Sequence, residues 1–280
     1  MLRLLIGRSG SGKSHWIADR LEALTAAGQE KLFLLVPEQS SFENERALLQ
    51  RLGTRRAAGV QVLSFTRLAD TVFREVGGLC GAAPDEGTQA LRMSQALERA
   101  AAVAADCGEP LLGVSPRQIT DAAYVQQLVA LREELRQCAV PVEELEKLSE
   151  ALTAADASSL PQRTRDLYRI FAAYDGSSIG DGADALTRLA DKLPDSRLPD
   201  GATVLVDGFK GFTAQELRVL ERLLPRVAEL TIALGSDTPG RCLHSHTDTA
   251  REYTLFSPVT DTVQQLCRLA EPHGLTWQIE

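Results

Sequence analysis

The chain reads as an α/β protein whose parallel sheet is assembled from two sequence pieces, with an all-α domain inserted between them. Three observations predict this. Short apolar runs alternate with amphipathic helical patterns up to about residue 83, strand character is lost from 84 to 195, and it returns from 196 to 280. Alternating β and α elements imply parallel strands with helices on both faces. The expected division is 1–83 with 196–280 as one discontinuous α/β domain and 84–195 as the helical insertion.

Taken in order, Leu4, Leu5 and Ile6 read as a buried strand, and Ser14–Leu24 as a helix with Ile17, Leu21 and Leu24 on one face. Lys31–Val36 is a continuous apolar run ended by Pro37, as a parallel strand buried on both faces requires. Ser40–Leu52 reads as an amphipathic helix carrying Phe42, Leu48, Leu49 and Leu52. Val60–Phe65 is a third strand, and Thr66 is expected to cap a helix that ends near Gly77-Gly78. Within the insertion, helices are expected at 88–105, after Ser115-Pro116, after Pro141, at 164–174 and at 181–193. Thr203–Asp207 is an apolar strand ending in a carboxylate, and Thr213-Ala-Gln-Glu216 is a capping box that opens a helix. Leu230–Leu234 is a further strand. Ser257-Pro258 opens a last helix ended by Gly274, and Leu275, Trp277 and Ile279 alternate in a final strand.

The most specific signal lies at the first strand-to-helix junction. Gly7-Arg8-Ser9-Gly10-Ser11-Gly12-Lys13-Ser14 fits G-x-x-x-x-G-K-S, the phosphate-binding P-loop pattern. Average residue frequencies produce that spacing by chance in roughly one chain of this length in a hundred, and the strand and helix on either side make chance rarer still. The chemistry explains the residue types. Glycines let backbone N–H groups converge on phosphates, and the helix N-terminus adds partial positive charge. Lys13 would reach the β- and γ-phosphates of ATP, and the Ser14 hydroxyl would ligate Mg²⁺.

A second carboxylate signal is incomplete. Asp207 ends an apolar strand, where a P-loop ATPase keeps the Asp that orients Mg²⁺. Hydrolysis also needs a group that activates water, commonly a Glu directly after that Asp, and here Gly208-Phe209-Lys210 follow. The nearest downstream carboxylate, Glu216, is the capping-box partner. No catalytic residue is assigned. Arg8 and Arg67 are candidate arginine fingers, with a solvated surface role as the alternative.

Composition narrows the classes. The 280 residues carry a net charge of −8, with 44 % hydrophobic and 24 % charged residues, so no global basic footprint marks a free-standing nucleic-acid binder. Five cysteines, odd in number and without C-x-x-C, fit a reducing compartment with mostly buried thiols. Cys242-Leu-His244-Ser-His246 looks like a metal cluster but offers no fourth ligand, and a polar loop is the plainer reading. The chain opens directly on a strand and has no run of ~18–20 apolar residues, which points to a cytoplasmic protein.

The combined pattern resembles the N-terminal part of the B subunits of AddAB helicase–nucleases. The resemblance is carried by Gly7–Ser14, by Leu35-Val-Pro-Glu-Gln39 with Phe42, and by Val62-Leu-Ser-Phe-Thr-Arg-Leu-Ala69. It continues through Val206-Asp-Gly-Phe209 and Phe212-Thr-Ala-Gln-Glu216 with Leu217-Arg-Val-Leu220. It spans nearly the whole chain. It implies a RecA-like, superfamily 1 helicase domain 1A fold with its helical insertion, in a subunit that processes broken DNA ends for recombinational repair.

The resemblance further implies an ATP-dependent helicase and deoxyribonuclease in the full-length protein. There the B subunit is an inactivated motor, partnered in a heterodimer by an AddA-like subunit that drives translocation along DNA. The nuclease domain and its iron–sulphur cluster would lie in a C-terminal region outside these residues. By the same analogy Gln39, Ser64, Phe65, Thr66 and Arg67 are candidate contacts to single-stranded DNA, against strand-end, helix-cap and core roles. Two other classes stay open: a scaffold that docks the A subunit without nucleotide turnover, and a small-molecule P-loop kinase with the insertion as its lid.

Overall fold

The computed structural model describes residues 1–78, 84–108, 111, 121–154, 159–177, 185–237 and 256–279. The chain divides into two compact units, residues 1–78 with 185–280 and residues 79–184.

In the first unit the described strands are β1 (Leu2–Gly7), β2 (Leu32–Leu35), β3 (Val60–Leu63), β4 (Thr203–Val206), β5 (Glu229–Gly235) and β6 (Trp277–Ile279). They form one sheet in the order β3-β2-β4-β5-β1-β6, with every pairing parallel. The unit's helices are α1 (Lys13–Ala26), α2 (Ser41–Ala57) and α3 (Phe65–Val76); those of the second unit, α4–α7, are given below, and α8 (Ala185–Lys192), α9 (Ala214–Leu223) and α10 (Ser257–Ala270) complete the first.

Alternation of side chains along each strand explains the continuous apolar runs, because both faces are buried. Leu4, Ile6, Val204, Val206, Ile232 and Leu234 enter one core with Leu68 and Val72 of α3, Leu189 of α8, Val219 of α9 and Val263 of α10. Leu5, Leu32, Leu34, Leu205 and Ala233 enter the other, against Ile17, Leu21 and Leu24 of α1 and Leu48 and Leu52 of α2. This is a parallel α/β fold consistent with RecA-like domains.

Four local readings change. The cap of α3 is Ser64, whose Oγ accepts from Arg67 N at 3.2 Å, and Thr66 lies inside the first turn. Helix α2 runs past Leu52 but breaks at Gly53 (φ 73°, ψ 162°), and its apolar residues divide: Leu48 and Leu52 are buried, while Phe42 is 72 % and Leu49 48 % exposed. Residues 185–193, expected in the insertion, pack instead in the first unit, where Leu189, Ala190 and Leu193 are fully buried against the sheet's helices. Of the three described cysteines, Cys267 is buried but Cys107 and Cys138 are exposed, because the latter two follow helix ends rather than facing a core.

The second unit, among the described residues, holds helices and no strand: α4 (Glu86–Asp106), α5 (Ala122–Gln137), α6 (Glu143–Ala154) and α7 (Leu160–Ser177). Its core gathers Met93, Leu97, Val125, Leu128, Leu145, Ile170 and Phe171. On α5, Arg132 makes a bidentate pair with Asp175 of α7 at 3.2 and 2.6 Å. Cys80, Ser115-Pro116 and Cys242-Leu-His244-Ser-His246 lie outside the described residues. Among those described, no metal-binding cluster of His, Cys, Asp or Glu is found, and no helix is long and apolar enough to cross a membrane.

Candidate functional site

Because every strand is parallel, the loops after β1, β2, β3, β4 and β5 open on the same edge of the sheet, where ligands of open α/β sheets bind. Main-chain hydrogen bonds tie these loops to each other. Ser236 N donates to Gly7 O at 3.0 Å, Asp207 N to Leu35 O at 3.0 Å, and Val36 N to Leu63 O at 2.9 Å. The strand ends therefore fix where each candidate residue starts, and the loops only finish the placement.

The glycine loop leaves β1 at Gly7 and enters α1 at Lys13. Gly10 (φ 76°) and Gly12 (φ 95°) take left-handed backbone, which side chains with a Cβ adopt at a cost of about 1–2 kcal/mol. Gly7 is required for another reason: a Cβ there would stand 2.5 Å from Ser11 Oγ. Lys13 Nζ donates to Gly7 O at 2.7 Å and to Arg8 O at 2.9 Å, so the ammonium lies folded over the loop. No side chain caps α1, and no acidic residue stands in its first turn. Its positive end therefore faces the loop uncompensated. Ser14, in that first turn, is exposed.

Asp207 follows β4, and β5 lies between β4 and β1. Two strand spacings separate Asp207's strand from the glycine loop's, about 10 Å. Asp207 is partly buried, and its carboxylate accepts from Gly208 N at 2.9 Å. Gly208 has φ 83°, and a Cβ on it would meet Pro37 Cδ at 3.3 Å. Glu216 is committed to the capping box, accepting from Thr213 N at 2.8 Å and from the Thr213 hydroxyl at 3.1 Å. That carboxylate is held by the start of α9.

The remaining candidates separate by exposure. Gln39, Thr66 and Arg67 are exposed on the same edge. Arg67 Nη1 pairs with Glu45 Oε1 of α2, with both side chains about half open to solvent. Ser64 is buried and spends its hydroxyl on the α3 cap. Phe65 is also buried, with Phe209 and Phe212 edge-on to its ring at centroid distances of 5.6 and 6.4 Å. That ring is core, so a base has no face of it to stack on. Arg8 is exposed and Nε donates to Asp237 O at 3.0 Å.

Sequence reasoning passed over two features. One is the end of β5, Gly235-Ser236-Asp237, which sits between the glycine loop and Asp207. The signal was there, an apolar strand running into Gly-Ser-Asp. The other is Phe42, which the helical pattern assigned to the core.

Sheet and helices together define a parallel α/β domain consistent with RecA-like folds. Similarity to known proteins makes the family specific. The family described as "ADDB, N-terminal" matches residues 4–280. The chain is 34 % identical over 281 residues to the B subunit of the ATP-dependent helicase/deoxyribonuclease of Moorella thermoacetica, and 30 % over 283 residues to that of Clostridium tetani. The corresponding protein of Desulforudis audaxviator is 34 % identical over 280 residues. Each match covers 98–99 % of this chain and 23 % of the relative, so the chain spans about a quarter of the relatives' length. The chain belongs to the AddB family and corresponds to its N-terminal portion.

Proposed function

We propose that this chain is the nucleotide-binding, helicase-like first domain of a DNA end-processing subunit, and that it binds ATP while turning it over feebly or not at all. The single observation that carries the reading is the pairing of a fitted phosphate loop with a mismatched second carboxylate site. Gly7, Gly10 and Gly12 form a tight turn into an uncapped helix with Lys13 at its start. Those features suit a nucleoside triphosphate, with Ser14 and Asp207 as the residues that would hold Mg²⁺. On binding, Lys13 exchanges the carbonyls of Gly7 and Arg8 for phosphate oxygens. After Asp207 the chain offers Gly208, and the next carboxylate, Glu216, is a helix cap. The relatives are named as B subunits of an ATP-dependent helicase/deoxyribonuclease. That naming supports ATP as the nucleotide, DNA as the substrate and a partner subunit, which on this reading is AddA-like and cytoplasmic.

On this reading Gln39, Thr66 and Arg67 face single-stranded DNA, with Ser64 acting only through the helix it caps. Binding by this portion alone is weak at physiological salt, because the net charge is −8. The test is calorimetry with Mg·ATP on the wild type and Lys13→Ala, together with a turnover assay. Saturable binding lost in the variant, with turnover far below the typical ~10 s⁻¹, is expected. Turnover near that rate overturns the inactive-motor reading. No binding at all overturns the nucleotide reading and leaves a scaffold for the AddA-like partner, which the acidic net charge would also suit.

A further inference from the structure

Helix α2 carries an exposed stripe that neither the core nor the candidate nucleotide site uses. Phe42, Arg46 and Leu49 stand at i, i+4 and i+7 and share one face. Phe42 is 72 % and Leu49 48 % exposed, and Arg46 between them is exposed as well. A bare phenylalanine in the first turn of a helix has no packing reason when Leu48 and Leu52 already fill the buried stripe. We propose that Phe42 is a stacking platform for a base of single-stranded nucleic acid, with Arg46 beside it for the adjoining phosphate. The proposal rests on the reading that DNA crosses this edge of the sheet.

Three observations favour this occupant over a protein. First, charge: Arg46, one turn after the ring, makes no ion pair among the described residues, whereas the nearby Glu45 is taken up by Arg67. Second, size: one aromatic ring and one leucine separated by an arginine make a small apolar area. A stable protein interface needs about 800 Å² on each side. Third, position: Phe42 lies three residues after exposed Gln39, and Glu45, one turn further on, bonds Arg67. An exposed aromatic with a cation on the same face is what sequence-tolerant single-strand binding uses, the base stacking on the ring and the phosphate meeting the cation. Phe65 is buried, so among the described residues the exposed ring on this edge is that of Phe42.

The probe is a fluorescein-labelled twelve-residue oligothymidylate, read by anisotropy at low salt against the wild type, F42A, F42L, F42W and R67A. F42A and F42L are each expected to weaken binding at least about fivefold. Leucine keeps the apolar bulk and loses the ring, whereas F42W holds wild-type affinity and shows tryptophan quenching beyond that of the wild type. Because no charge is removed, F42A leaves the salt dependence unchanged, while R67A lowers its slope by about one. F42A or F42L binding like the wild type while R67A is weakened overturns the stacking role and leaves the DNA reading standing. F42L matching the wild type with F42A weakened shows a plain apolar contact, as a protein-docking face would, and also overturns it. An oligothymidylate that fails to bind the wild type at low salt overturns the DNA reading itself.

Discussion

Gly7→Ala tests whether the glycine loop is as tight as its geometry requires. Gly7 has ordinary backbone, so alanine carries no conformational penalty there; the cost comes from Ser11. The added Cβ would lie 2.5 Å from Ser11 Oγ and 3.3 Å from Ser11 Cβ. Ordinary contact is about 3.4 Å, so the hydroxyl must retreat by roughly 0.9 Å while the Cβ needs to yield only slightly. Ser11 is exposed and can swing, and off-rotamer strain of that kind costs about 0.5–1.5 kcal/mol. Swinging also gives up its 3.4 Å contact with Lys13 Nζ. We therefore expect Gly7→Ala to lose about 1 kcal/mol, a fall of about 2–4 °C in the melting temperature of a unit this size. The affinity for Mg·ATP should drop about tenfold, the equivalent of one charge-assisted hydrogen bond. Ser11→Ala alone is near neutral. The double variant Gly7→Ala/Ser11→Ala should recover most of both losses, because the 2.5 Å contact is gone and only the 3.3 Å one remains. Thermal denaturation followed by circular dichroism, with calorimetric titration of Mg·ATP, reads both quantities. A single variant that behaves like the wild type, or a double variant no better than the single, would refute the reasoning.

Two other predictions concern the frame that carries the site. Glu229 bridges Arg3 of β1 at 3.0 Å and Arg20 of α1 at 2.7 Å. Burial pushes its carboxyl up, but the Arg20 hydrogen bond, the Thr231 hydroxyl and the two guanidinium charges outweigh that and hold it below the usual carboxylate range. Glu229→Gln should therefore cost about 1–3 kcal/mol at pH 7 by urea unfolding. The gap from wild type should persist above the ordinary carboxylate pKa and close as pH falls through the lowered one; a gap that widens in acid would contradict the assignment. The Cys267 thiol is pushed up to about 11, first by burial and then by Glu271. Iodoacetamide at pH 8 should accordingly label exposed Cys107 and Cys138 in the folded protein and reach Cys267 only after unfolding, as peptide mass mapping will show.

The sheet was legible because strands buried on both faces read as unbroken apolar runs, and Lys31–Val36 and Thr203–Val206 could hardly be anything else. The glycine loop was legible because phosphate binding constrains residue type at fixed spacing. What failed was the assignment of single side chains to one face or the other. Phe42 has the spacing of a core residue, yet a helix on a sheet buries only one stripe, and Leu48 and Leu52 fill it. Phe65 was open between a base contact and the core, and Phe209 and Phe212, far along the chain, settle it by closing over the ring. Thr66 and Ser64 are both plausible caps, and the register of the turn after β3 selects Ser64. In each case the deciding partner lies outside the window that periodicity can see. Residues 185–193 were misassigned for the same reason: an amphipathic helix does not announce which core its apolar face will join.

On the proposed reading, the carboxylate absent after Asp207 is not restorable by a single substitution. A Gly208→Glu replacement supplies, on paper, the carboxylate that would activate water. Two features oppose it. Gly208 sits at φ 83°, where a residue with a Cβ costs about 1–2 kcal/mol, and that Cβ would press on Pro37 Cδ at 3.3 Å. Pro37 cannot yield freely, because it stands two residues beyond β2, whose Leu34 and Leu35 are paired on both sides with β3 and β4, and its carbonyl accepts from Ser40 N at 3.0 Å. The turn is further closed by Gly208 N donating to Asp207 Oδ1, so a backbone that rotated to accommodate glutamate would also move the carboxylate assigned to Mg²⁺. Gly208→Glu is therefore expected to lower stability by about 1–3 kcal/mol and to leave ATP turnover at the wild-type level. A variant that folds as stably as the wild type and hydrolyses ATP at several per second would show that only a side chain was lost. The geometry argues otherwise: the glycine is part of how the loops after β2 and β4 meet, so on the proposed reading packing as well as chemistry would oppose hydrolysis.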